Sequence, residues 1–169
     1  NKLVGNESGS AVIEFALQGP LLKYQGSQIT VAISGDVNFE LKKGNKKIQG
    51  NCYESYTLDN NDEINILSTN KSVYGYLSIN GIFDIKYQWG SCSVNTKANI
   101  GSNSGKKIKD LQKINIKKIY DNFTKKKLDF INTKIENIRV IKGTNFNYFS
   151  ENSIKDFFSK DFIVSKLTD

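Results

Sequence analysis

A chain of 169 residues and 19.0 kDa, 38% hydrophobic and 11% aromatic, is long enough to bury one core and to begin a second unit. It has no His and only two Cys, which excludes a Ser-His-Asp triad, a Cys-His dyad and a structural zinc site within these residues. Its net charge of +7 rests on 23 Lys against one Arg, and no apolar run reaches the roughly 18 residues of a membrane span.

The chain opens with Val4-Gly5-Asn6, which reads as a turn, and then alternates with period two. Ala11, Ile13, Phe15 and Leu17 of AVIEFAL share one strand face, as do Ile29, Val31 and Ile33 of QITVAIS. In EINILST, Ile64, Ile66 and Ser68 alternate with Asn65 and Leu67; in VYGYLSI, Val73, Gly75, Leu77 and Ile79 oppose Tyr74, Tyr76 and Ser78. Short segments of this kind predict antiparallel sheet with one buried face. Gly19-Pro20 ends the first strand, Gly44-Asn45 suits a two-residue hairpin, and Asp59–Asp62 is a polar turn. Ser34-Gly35-Asp36 closes a strand; its carboxylate can bind a ligand, accept a proton or satisfy turn amides. Regular turns between short strands point to a sandwich or barrel rather than to βαβ units.

Beyond Ile85 the composition changes to Gly, Ser, Asn and Lys around Gly90-Ser91-Cys92-Ser93. A nucleophilic serine needs a base and an oxyanion hole; no His exists to serve it, and a Ser-Lys pair has no positional support. A reactive Cys92 needs a cationic neighbour, for which only Lys86 and Lys97 are near in sequence. The stretch therefore reads either as a solvated loop or as a loop whose backbone N–H groups hold an anion. Tyr74, Tyr76 and Trp89 can stack on a ligand or simply pack. Asp59, Asp62 and Glu63 lack calcium-loop spacing, and no metal is expected. IKDLQKINIKKI fits an amphipathic helix or two strands around a turn. Residues 126–137 read as a linker. A second unit then starts with a strand at IRVIKG and a helix in FSENSIKDFFSK. Ser153 is its expected cap, with Ile154, Phe157 and Phe158 on one buried face; DFIVSKL would be a further strand.

The lysines fall in short clusters, Lys42–Lys47, Lys106–Lys118 and Lys125–Lys127. Lys, Asn and Ile share A/T-rich codons, and the near-absence of Arg argues against nucleic acid as a partner. The cysteines suit two buried free thiols in a reducing cytoplasm, with one disulfide between them as the alternative. A chain without Met reads as a piece of something longer.

Taken in order, NKLVGNESGSAVIEFALQGPLLKY, ITVAISGDVNFEL, VYGYLSINGIFDIKYQWGSCSVNTKANIGSNSGKKIKDLQKINI and IRVIKGTNFNYFSENSIKDFFSKDFIVSKLTD resemble the biotin-dependent carboxyltransferase-like family. That family includes allophanate hydrolase subunit 2, the carboxyltransferase half of urea amidolyase and one of the subunits of bacterial 5-oxoprolinase. The resemblance implies a mostly β fold: a cyclophilin-like antiparallel β-barrel over 1–125 lacking its N-terminal part, a linker at 126–137, and the truncated start of a second similar barrel at 138–169. It implies a β-hairpin for KKIKDLQKINI. It also implies a cytoplasmic hydrolase or carboxyltransferase complex, with a partner subunit of similar fold (allophanate hydrolase subunit 1-like) and a small-molecule substrate. ATP would be used in the complex and biotin in some members; neither nucleic acid nor membrane is an expected partner. Gly90, Ser91, Ser93, Gly101 and Gly105 would line the substrate site, with Asp36 and Asn80 as second choices, in positioning and polarising roles.

Three departures from the family pattern stand out. Asn80-Gly81 replaces Gly-Gly, Cys92 replaces an Arg between the two serines, and Leu111-Gln112 replaces Gly-Asp. Loss of the Arg removes a bidentate carboxylate clamp and leaves anion recognition to backbone amides and Lys. The alternative is a non-catalytic module for a partner protein. A proline-isomerase reading, prompted by barrel type alone, lacks the His and has only Arg139.

Overall fold

The computed structural model describes residues 1–121, 125–129 and 137–163. The chain divides into two compact units, Asn1–Phe130 and Ile131–Asp169, each taken by itself below.

The first unit begins with a single 3-10 turn, Lys2–Val4, closed by Gly5 in the left-handed conformation (φ 76°). The strands β1 (Ile13–Ala16), β2 (Leu21–Lys23), β3 (Ile29–Ser34), β4 (Val37–Lys43), β5 (Lys46–Gln49), β6 (Ser55–Leu58), β7 (Glu63–Thr69) and β8 (Tyr74–Ile79) follow. They form two antiparallel four-stranded sheets, ordered β1-β8-β3-β6 and β2-β7-β4-β5. The period-two pattern explains this arrangement. Val37, Phe39 and Leu41 of β4 are buried on the same side as Ile64 and Ile66 of β7, and Phe15, Ile33, Leu77 and Ile79 of the other sheet join them in one core. The rings of Phe39 and Tyr56 meet edge to face, 5.9 Å apart, between the two sheets. Burying a side chain such as Phe39 or Leu41 contributes about 1.5–3 kcal/mol. The fold is mostly β and antiparallel; among the described residues the sheets share a core without closing into a barrel.

β3 departs from the expectation of one buried face, because Thr30 and Ala32 are buried along with Ile29, Val31 and Ile33. It is an inner strand, between β8 and β6, and the Lys2–Val4 turn with the buried Val4 packs against it. The β4–β5 hairpin turns at Gly44-Asn45, with Lys43 opposite Lys46. Only Gly44 of the two has positive φ, 55°, as a type II′ turn requires. The lysines there face carboxylates across the strands: Lys42 and Glu63 at 3.5 Å, Lys43 and Asp62 at 3.7 Å, Lys47 and Glu40 at 3.8 Å. The more exposed pairs, Lys42–Glu63 and Lys47–Glu40, contribute up to about 1 kcal/mol each, while Asp62 of the Lys43 pair is buried.

After β8 the chain kinks at Asn80 and continues as β9 (Gly81–Phe83), which pairs with β12 (Ile116–Ile119). Gly81 is required there, since a Cβ would run into the Lys118 carbonyl oxygen. The short pair β10 (Val94–Asn95) and β11 (Ile100–Gly101) lies in the loop between. Residues 106–115 form neither a helix nor the β-hairpin that the family resemblance implied. The Asn103 amide donates to the carbonyls of Lys106 and Lys107 (2.9 and 3.1 Å), which a ladder would need, and only a turn at Asp110-Leu111 remains. Part of the expected linker is fastened to the first unit: Ser55 N donates to Lys126 O (2.9 Å) and Leu128 N to Tyr53 O (3.0 Å).

In the second unit, 138–143 carry no strand pairing, so the strand expected at IRVIKG is absent among the described residues. A 3-10 turn, Phe146–Tyr148, precedes α1 (Glu151–Ser159). Its cap is Ser150, whose Oγ accepts from Ser153 N at 3.2 Å; Ser153, the expected cap, is the donor inside the first turn. Phe157 and Phe158 are exposed, their rings 5.2 Å apart. Asp161–Ile163 have no regular structure, and the rest of the strand expected at DFIVSKL lies outside the described residues.

Candidate functional site

The Gly/Ser-rich loop is a built module. Gln88 and Ser91 exchange both backbone hydrogen bonds (2.8 and 3.0 Å), so Trp89 and Gly90 form a two-residue turn with φ of 51° and 76°. Both positive values identify a type I′ geometry, comfortable for Gly and strained for Trp. Trp89 is 81% exposed at the tip. The Ser91 hydroxyl accepts from Ser93 N (3.1 Å), Ser102 Oγ donates to Cys92 O (2.7 Å), and Gly101 N donates to Gln88 Oε1 (2.8 Å). Gly101 and Gly105 both have positive φ, and a Cβ would strike Ser93 O at the first and Asn99 at the second. Asn103 and Ser104 precede Gly105 in the same left-handed region.

Five of the residues expected at the site, Gly90, Ser91, Ser93, Gly101 and Gly105, therefore belong to this one module. Their expected means of holding an anion is different, however. The amides of Ser91, Ser93, Gly101 and Gly105 already donate within the loop, to Gln88 O, Ser91 Oγ, Gln88 Oε1 and Ser102 O. Two lysines and an aspartate stand beside them. Asn103, Ser104, Lys106, Lys109 and the Asp110–Gln112 turn surround an open groove of about 430 Å³. Lys106 and Lys109 have no ion pair among the described residues, so both ammonium groups are available to a ligand carboxylate or phosphate.

Asp36 and Asn80 lie outside the module. The Asp36 carboxylate accepts from Asn70 Nδ2 (3.0 Å) and Lys71 N (3.1 Å), the turn-satisfying option among its three sequence readings. The Asn70 amide, and then the Lys71 N–H, hold its carboxyl below the ordinary value near 3.8. Asn80 is 3% exposed, with Oδ1 accepting from Thr30 N (2.7 Å) and Nδ2 donating to Tyr120 O (2.9 Å). Its polar atoms stitch β3 to the segment after β12. Asn6, read from sequence as part of a turn, does similar work: its buried amide donates to Ile79 O (2.8 Å) and Gly81 O (3.1 Å) and accepts from Gly81 N (3.2 Å). Gln88 and Ser102, which hold the loop together, carried no sequence signal.

Both cysteines are free. Cys52 Sγ donates to Val37 O (3.3 Å), and burial pushes its thiol up. The described residues hold no cluster of three His, Cys, Asp or Glu suited to a metal. Of the loop amides, those of Ser91, Ser93, Gly101 and Gly105 are taken and so are not open to a phosphate. No described helix is long and apolar enough to cross a membrane.

Fold and loop together define an antiparallel β domain that presents a preorganised, lysine-flanked loop. The family described as carboxyltransferase domain, subdomain A and B, matches residues 1–169, and the chain belongs to it. Among solved structures, the Kluyveromyces lactis urea carboxylase is 26% identical with a TM-score of 0.59, over 69% of this chain and 10% of that one. The K. lactis urea amidolyase has the same identity and TM-score over 7% of its own length. TTHA0988 shares the fold, with a TM-score of 0.64 at 21% identity, over 78% of this chain and 47% of that one. The chain thus spans less than half of each of these proteins. None of the curated proteins matches it.

Proposed function

We propose that this chain is part of a cytoplasmic, ATP-dependent 5-oxoprolinase-like or urea amidolyase-like complex that acts on a small carboxylate, cyclic amide or urea-type substrate with a partner subunit of similar fold. The carrying observation is the rigid Gln88–Gln112 loop with Lys106 and Lys109 unpaired on one groove. In this reading the two ammonium groups take over the carboxylate recognition that an Arg at position 92 would provide. Gly90 leaves the hairpin tip open, since a Cβ there would meet nothing within 4 Å. Ser91 and Ser93 orient the substrate amide rather than attack it, because among the described residues neither hydroxyl is hydrogen-bonded to a base. Nucleotide binding falls to other parts of the complex, and biotin enters only if the reaction is a carboxyl transfer. The second unit opens a second barrel. Fold-level likeness supports the class and leaves the reaction to be tested.

The test is a titration of the chain with 5-oxoproline and with urea, followed by NMR. Carboxylate recognition predicts shifts at Asn103–Gln112 with 5-oxoproline and their loss in Lys106→Ala/Lys109→Ala. Shifts that survive the double substitution would remove the lysines from the account. The other reading, a non-catalytic module for a partner protein, draws support from Trp89, held exposed at a strained φ. It predicts that Trp89→Ala weakens a pulled-down complex that shows no turnover.

A further inference from the structure

A second, smaller pocket lies away from the lysine groove, with a volume of about 180 Å³. Its floor is β9, where Ile82 and the buried Phe83 give it an apolar base. That floor is fixed from behind. The Asn6 amide makes three hydrogen bonds to Ile79 and Gly81, and Asn80 binds the Tyr120 backbone through both its side chain and its main chain. The rim consists of Glu7, Ser10, Tyr87 and Tyr120.

The rim groups are left without partners. Ser10 donates through N (3.3 Å) and Oγ (2.9 Å) to the Glu7 backbone oxygen, which fixes the turn and leaves the Glu7 carboxylate outside it. Among the described residues, neither that carboxylate nor the hydroxyls of Tyr87 and Tyr120 has a hydrogen bond or ion pair. In a chain of net charge +7, an unpaired carboxylate beside two phenols offers a cation a counter-charge. One cation is already close: Lys118 Nζ stands 5.3 Å from the Tyr120 ring centre and occupies that face. A ligand must then use the Tyr87 ring, the phenol oxygens and Glu7.

We propose that this pocket binds a small primary alkylammonium ion, with its nitrogen at Glu7 and the tyrosine hydroxyls and its hydrocarbon over Ile82 and Phe83. The carboxylate neutralises the charge, phenol oxygens accept N–H bonds, and an aromatic face attracts a cation. An anion would meet a like charge. At roughly 30 Å³ per water, the volume equals about six waters, which limits the ligand to a short chain. This inference does not depend on the reading of the lysine groove.

The probe is n-butylammonium chloride, titrated into the 169-residue chain and followed through backbone amide NMR shifts, with 1-butanol and sodium butyrate as isosteric controls. The expected result is saturable shifts at Glu7, Ser10, Gly81, Tyr87 and Tyr120 with the ammonium, and none with butyrate. Glu7→Gln, on an exposed side chain that the fold does not use, should weaken binding about threefold. Tyr87→Ala should weaken it about twofold or more. Equal binding of 1-butanol, an unchanged affinity in Glu7→Gln, or no shift with the ammonium at tens of millimolar would each overturn the proposal.

Discussion

Replacing Asn80 by Ala deletes a bridge between two segments fifty and forty residues away, and the structure allows the cost to be worked out. Loss of Oδ1 strands the Thr30 N–H in a strand where Thr30 is 6% exposed, so water cannot replace the partner. An orphaned buried donor costs about 1–3 kcal/mol. Loss of Nδ2 frees the Tyr120 carbonyl, where the chain is partly exposed and water can substitute, at about 0.5–1.5 kcal/mol. The sum is about 1.5–4.5 kcal/mol. The backbone of Asn80 keeps its own bonds to Thr30 O (2.8 Å) and from Tyr120 N (3.1 Å), so the variant should still fold. Urea unfolding followed by far-UV circular dichroism reads the change. Fluorescence of the exposed Trp89 is the poorer probe. For a slope near 2 kcal/mol/M the midpoint should fall by about 1–2 M. A loss below about 0.5 kcal/mol, the range of an ordinary surface change, would refute the bridge. Unaltered stability together with lost substrate binding would return Asn80 to the site.

Three further outcomes follow from the same geometry. Gly101→Ala and Gly105→Ala force a side chain into Ser93 O and Asn99 at positive φ, a local cost above about 1 kcal/mol. Hydrogen exchange should quicken across 88–106 while β3 and β4 stay protected, and unchanged exchange would deny the packing. For Asp36 the folded value is depressed, so its contribution is complete above the ordinary value near 3.8 and is lost as pH falls below it. The stability gap between wild type and Asp36→Asn should narrow through that window, and a constant gap would contradict the turn-capping role. Cys52, desolvated and bonded to Val37 O, should react with a thiol reagent more slowly than Cys92 in the loop, and an inverted order would place the burial wrongly.

Strands β1 and β7 were legible because they alternate strictly enough to declare a buried side, β8 alternates until its last three residues are all buried, and Gly44-Asn45 announces its hairpin. The second buried face of β3 was not, because it depends on the Lys2–Val4 turn packing back onto Ile29–Ser34. The Gly/Ser loop was legible as a place. Its hydrogen-bond economy was not, since the acceptor for Gly101 N is a Gln thirteen residues earlier. Composition promised free amides, and the fold uses most of them. Asn6 and Asn80 could not be told apart from eighteen other asparagines, since an amide becomes structural only when a distant backbone presents the matching donor and acceptor. The cap of α1 was displaced by three residues because Ser150 and Ser153 are equally good caps by type.

The most direct measurement is ATP hydrolysis by the chain co-expressed with the proposed partner subunit, with and without 5-oxoproline and then with urea, bicarbonate and a biotinylated carrier. The account predicts stimulation by one of these substrates, with a raised KM in Lys106→Ala/Lys109→Ala. A stable complex that no substrate stimulates would contradict it and leave a partner-binding module in its place.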